Sequence, residues 1–137
     1  MSKRNEIRDF IKSKLETLND DVYLDYKTPD MLTSFPAHSV TVGDEVISYG
    51  QTFYECTVDI IVTVNVKDNS DPVSVLNNKI EAIYDLFYPY VIGCQSTGID
   101  DLVWFRITRT VTDERWLSPF AVGRIYFTAR YRIYQGA

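Results

Sequence analysis

The side chains that could do chemistry are few. His38 is the only histidine, Cys56 and Cys94 are the only cysteines, and Asp20-Asp21, Asp100-Asp101 and Asp113-Glu114 are adjacent acids in polar stretches. Nucleophilic catalysis needs a base beside the nucleophile, and His38 would have to supply it alone. No serine sits in a Gly-x-Ser-x-Gly turn, and no His-Cys-Asn set can be assembled. His38 follows Pro36 closely in a presumed edge strand, so it is expected to be a surface or capping histidine. The acid pairs lack the spaced ligands and glycine of a calcium loop and are read as caps and solubilising charges. No glycine-rich loop leads into a helix with the Lys-Ser or Lys-Thr pair that cradles phosphate. Cys56 is expected in the core and Cys94 in a loop, with no neighbour to activate its thiol. The reading is of a chain with no catalytic residue, no cofactor and no metal.

The arginines are the one feature that stands out. Residues 1–101 carry 8 Lys plus Arg against 17 acids, a net of −9, whereas residues 102–137 carry 6 bases against 2 acids, a net of +4. All six of those bases are Arg. A planar guanidinium fork suits ordered interfaces, because it binds carboxylates in two places and stacks on aromatic rings. Three readings of Arg106, Arg124, Arg130 and Arg132 stand side by side. They pair across the sheet with Glu55 and Asp59, they meet a protein partner, or they line a nucleic-acid groove. The acidic remainder of the chain works against the third.

Elements must position these groups. Ile7, Phe10, Ile11, Leu15 and Leu18 recur at helical spacing over residues 4–18. Val22 to Tyr26 reads as a short strand, and His38 to Val42 as another that opens at Gly43-Asp44-Glu45 into a polar loop ending at Tyr49-Gly50-Gln51. Phe53 to Val66 alternates, with Tyr54, Cys56, Val58, Ile60, Val62, Val64 and Val66 on one face, and Ile61 as the exception. Asp71 and Pro72 are a cap and first residue for a helix whose stripe is Val73, Leu76, Ile80, Ile83 and Phe87, stopped at Tyr88-Pro89. Two strands follow, Leu102 to Val111 and Pro119 to Tyr134. In the first, Val103, Phe105, Ile107 and Val111 are expected inside and Arg109 breaks the phase, which a strand end or bulge would resolve by turning it outward. The fold expected over residues 1–137 is a single α+β domain. It has a mainly antiparallel sheet with two helices on one face, in the order α-β-β-β-α-β-β.

Composition narrows the classes. A chain of 137 residues with 45% hydrophobic and 24% charged residues suits one globular domain and argues against general disorder. Ten Tyr and seven Phe give an aromatic excess that suits strands and interfaces. The net charge of −5 makes nucleic acid a poor default partner. No stretch approaches the ~20 apolar residues of a membrane span, and residues 1–6 lead straight into an amphipathic pattern without a signal-peptide core. The expectation is a soluble protein made in a reducing cytoplasm with both thiols free.

The order of elements, together with Phe35-Pro36, Ser39-Val40-Thr41-Val42-Gly43-Asp44-Glu45, the polar loop, the long strand from Phe53 and the helix opened by Asp71-Pro72, resembles the tail terminator (tail completion) proteins of long-tailed bacteriophages. That resemblance covers nearly the whole chain. It implies a structural virion protein of the tail and neck, assembled in the host cytoplasm, rather than an enzyme. It implies a homo-oligomeric ring, usually a hexamer, that seats on the last ring of the tail tube protein, stops polymerisation and meets a neck or head-tail connector protein. DNA would pass through such a ring without sequence-specific contact, and no membrane is involved. By position, residues 43–52, with Asp44, Glu45 and Tyr49, would be a loop facing a neighbour or the tube. Trp116 and the four arginines join them as expected interface residues, and Tyr90 and Tyr134 as further aromatic anchors. A second class remains open, a small-molecule-binding or enzymatic cone of the nuclear transport factor 2-like kind. It would gather Tyr54, Asp59, Trp104 or Arg109 in one pocket.

Overall fold

The computed structural model describes residues 2–134, and they form an α+β domain with a sheet on one side and two helices on the other. Helix α1 spans Lys3–Glu16, capped by the Ser2 hydroxyl, which accepts from the Asn5 amide. Ile7, Ile11 and Leu15 form its buried stripe, as the helical spacing requires. Asn19, with a φ of 63°, turns the chain out of the helix into β1, Asp21–Tyr23. Strand β1 is shorter than expected and runs parallel to β2, pairing Asp21 with Ala37 and Tyr23 with Ser39.

Strand β2, Ala37–Tyr49, corrects the expected loop over residues 43–52. The Gly43-Asp44-Glu45 run is a β-bulge inside the strand, where the pairing steps from Val42↔Ile60 to Glu45↔Val58. Two residues, Gly43 and Asp44, face the space of Asp59 alone. A side chain at position 43 would crowd the Ile61 Cδ1 at 3.2 Å and the Asp59 carbonyl at 3.3 Å, so glycine lets the two strands stay close. Only residues 50–52 form the turn into β3, Phe53–Lys67. The apolar face of β3 is as expected, with Cys56, Val58, Ile60, Val62, Val64 and Val66 all buried beneath the helices, but Thr63 and Asn65, expected on an open polar face, are buried too. Ile61 lies on the opposite face.

Helix α2, Pro72–Val91, starts where the Asp71 carboxylate accepts from the Ser74 amide. Leu76, Ile80, Ile83 and Phe87 are buried, but Val73, expected in the stripe, is 57% exposed because Pro72, four residues before Leu76, takes the buried position of the first turn. The helix also runs past Pro89, which was expected to stop it. Proline withholds only the bond to the Asp85 carbonyl, and Asp85 lies on the solvent side where water can serve that group. Strand β4, Leu102–Asp113, and β5, Phe120–Tyr134, complete the sheet in the order β1-β2-β3-β5-β4. The β5 strand is interior, between β3 and the edge strand β4, and antiparallel to both. Gly123 lets α2 approach it, since a Cβ there would stand 3.3 Å from the Ile80 Cδ1.

The β4 phase departs from expectation. Register shifts fall between Leu102 and Trp104 and between Ile107 and Arg109. Phe105 is buried and Ile107 half-buried, while Val103 and Val111 are both 42% exposed rather than inside. The second shift turns Arg109 outward, as the bulge reading required. Inside, Phe87 and Phe127 meet edge-on at 4.8 Å, and Phe105 stacks on Phe127 at 5.5 Å. Phe10 of α1 closes this cluster against Phe105 and Tyr90, so Tyr90 packs against the core and is not a free anchor. Among the described residues, no helix is long and apolar enough to cross a membrane.

Candidate interaction surface

The two helices cover one face of the sheet, and the other face carries the arginines. Cross-strand register sets them in rows, because directly paired residues share a face. Glu55 pairs with Arg132, Thr57 with Arg130 and then Trp104, Asp59 with Thr128 and then Arg106, Ile61 with Tyr126 and then Arg109, and Thr63 with Arg124. Arg106, Arg124, Arg130 and Arg132 are thus gathered on one surface. Arg109 belongs with them.

Guanidiniums and rings interleave there. Arg109 lies 4.0 Å over the Tyr126 ring and Arg132 4.6 Å over Phe53. Arg106 and Arg130 lie 5.0 and 5.1 Å from the Trp104 ring. Such stacking holds each guanidinium flat and ordered, so less side-chain freedom is lost when a partner binds.

The cross-strand ion-pair reading holds in part. Arg132 donates to Glu55 at 2.8 Å, and that contact raises the guanidinium's pKa. Asp59 accepts from Thr128 at 2.9 Å instead of from an arginine, and Arg130 donates to the Thr57 hydroxyl at 3.2 Å. Arg124 goes to Asp113 at 3.1 Å, which Arg115 also holds through two bonds at 2.9 and 2.6 Å. The hydrogen bonds from Arg115 outweigh burial and hold the Asp113 carboxyl far below the usual carboxylate range. Among the described residues, Arg106, Arg109 and Arg130 have no carboxylate within ion-pair distance.

The other expected interface residues lie elsewhere. Asp44 is exposed at the bulge on the outer edge of β2. Glu45 is turned inward by that bulge, accepting from the Tyr131 hydroxyl at 2.5 Å and pairing with Arg4 at 3.1 Å, so its carboxylate is already satisfied within the domain. Tyr49 is 78% exposed at the hairpin end, with Val46 at 69% beside it. Trp116 stands at the far end of the sheet, edge-on to Phe120 at 6.5 Å. Tyr134 is exposed on the Arg-bearing face against Phe53.

The cone-fold set does not assemble. Tyr54 lines a cleft of about 600 Å³ between the start of α1 and the β2–β3 hairpin, together with Cys56 and Tyr131. Asp59, Trp104 and Arg109 lie on the opposite face of the sheet. Burial and the Glu45 hydrogen bond push both the Cys56 thiol and the Tyr131 phenol up, so both stay protonated at neutral pH.

His38 corrects a further expectation. It is fully buried, paired opposite Val64 on the helix side, and its Nε2 meets the Asp20 Oδ2 at 2.8 Å. Lys79 of α2 donates to the same oxygen at 2.9 Å. Burial works to raise the Asp20 carboxyl, and the bonds and charges of His38 and Lys79 outweigh it, leaving the pKa lowered. This trio ties β1, β2 and α2 together and gives His38 no route to a substrate. Cys94 is exposed as expected. Among the described residues, no three His, Cys, Asp or Glu side chains converge in a way that could hold a metal ion.

No protein-family model matches this chain, and no curated protein matches it.

Proposed function

We propose that this protein is a structural, non-enzymatic subunit that works by assembly: a ring that caps the end of a phage tail tube and joins it to the neck or head-tail connector. The observation that carries the reading is the sheet face left uncovered by the helices, with three carboxylate-free guanidiniums stacked on aromatic rings. A face of that kind suits a protein partner, since its cations are ordered in advance and only partly neutralised at home. The likeness of the element order and the Phe35-Pro36 to Glu45 run to tail terminators supplies the specific role. The β2–β3 hairpin end, with Val46, Ile47 and Tyr49 exposed, supplies a second contact able to meet the tube protein or a neighbour. The ring would be a hexamer of identical subunits within the virion.

Light scattering after size exclusion, over a dilution series and with tube protein added, tests this. A mass that rises to six times the 15.8 kDa subunit, alone or on meeting tube protein, is expected. A monomer at every concentration, indifferent to tube protein, overturns it.

A further inference from the structure

Resting on that assembly reading, we propose that the arginine-bearing sheet face of one copy receives helix α2 of the next. Along α2, Glu81, Tyr84, Asp85 and Tyr88 stand at positions i, i+3, i+4 and i+7 and form one stripe, in which the Tyr84 hydroxyl is already hydrogen-bonded with the Thr110 hydroxyl of β4 and Tyr84 and Tyr88 border a cavity shared with Arg109. Glu81 and Asp85 have no cation within ion-pair distance among the described residues, and Tyr84 and Tyr88 are 36% and 60% exposed. The single cation of this helix, Lys79, is held by Asp20.

The spacings of the two patches agree. Arg106 and Arg109 pair with Thr128 and Tyr126, one same-face step apart along β5, which is roughly 7 Å. Residues i and i+4 on a helix are about 6 Å apart. Glu81 and Asp85 can therefore each face one guanidinium. Each domain supplies both halves: three unneutralised cations on the sheet side and two unneutralised acids on the helix side. Because the patches lie on different layers of the domain, the contact is head-to-tail, the kind that forms a ring when its rotation closes. A second copy of this chain fits the face better than nucleic acid, since the chain carries the complementary acids itself and its net charge of −5 repels phosphate.

Two charge-swapped proteins test the pairing. In one, Arg106→Glu and Arg109→Glu make the sheet face acidic; in the other, Glu81→Arg and Asp85→Arg make the helix stripe basic. Sedimentation of each alone and of a 1:1 mixture is compared with wild type, with melting curves to confirm that each folds. Each variant alone is expected to associate at least tenfold more weakly, and the mixture to regain wild-type association by alternation. Association in wild type that survives both swaps, or that the mixture does not regain, overturns this contact while leaving assembly standing. A wild type that never associates, alone or with tube protein, overturns both. Tight binding of a single-stranded oligonucleotide that the arginine swap abolishes, with association unchanged, overturns it in favour of a nucleic-acid face.

Discussion

Replacing Asp20 by alanine removes the one acceptor shared by His38 and Lys79. The His38 ring is fully buried, so its Nε2–H is left without a partner, and an unmet buried donor costs about 1–3 kcal/mol. Lys79 keeps 21% of its side chain exposed and can turn its ammonium to water, so its share is that of a surface pair, about 0–1 kcal/mol. The sum is about 1–4 kcal/mol, a large part of the ~5–15 kcal/mol that holds a domain folded. With a urea dependence of about 2 kcal/mol per molar, the midpoint should fall by about 0.5–2 M. Lys79→Met, which leaves the His38–Asp20 bond in place, should cost under about 1 kcal/mol. The Asp20 pKa is lowered in the folded state, so its contribution is complete above the usual carboxyl value near 3.8 and lost as pH falls through the folded value. The gap between wild type and Asp20→Ala should therefore close in acid. Urea denaturation at neutral and acid pH reads all three. A loss for Asp20→Ala no larger than for Lys79→Met would refute the assignment of His38 as the dependent partner.

Three further outcomes follow from buried groups. Asn65 is fully buried and both its amide atoms lack a hydrogen-bond partner, so Asn65→Val should raise stability by about 1 kcal/mol in the same urea assay. Asp113, depressed far below 3.8 by Arg115, contributes stability that is complete above that value and drains away beneath it; Asp113→Asn should destabilise at neutral pH and flatten the acid limb of a melting-temperature profile. A thiol reagent at neutral pH should label exposed Cys94 quickly and buried Cys56 only on unfolding, read by mass after timed quenching.

Where a local pattern decided the structure, the sequence was readable. Burial in β3 alternates from Cys56 to Val62 because helices cover one face only, and Asp71-Pro72 announced α2 because a carboxylate and a fixed φ are both useful at a helix start. Where the chain departs from regular period, the pattern misled. Gly43-Asp44-Glu45 has the composition of a turn, yet pairing with β3 continues through it, and one bulge both lengthened β2 and sent Glu45 inside. Two register shifts in β4 exchanged the faces of Val103, Val111 and Arg109 in the same way. The gathering of Arg106, Arg124, Arg130 and Arg132 on one face needed only the charge asymmetry and the period of two. Recognising Trp104 and Tyr126 as their stacking partners needed the β4–β5 register. His38 was beyond local reading altogether. Its partner Asp20 is 18 residues away in sequence, and Lys79 lies 59 residues from Asp20, so its burial against Asp20 could be seen only once the fold had brought three elements together.

The central claim is that the molecule acts as an assembled ring. Image averaging of its largest stable solution species by electron microscopy, alone and after addition of tube protein, tests it most directly. The account predicts a closed ring with rotational symmetry, an open centre and the arginine-bearing face covered by the neighbouring subunit. Isolated single-domain particles under both conditions would contradict it, and a ring with that face bare would contradict the proposed contact between neighbours.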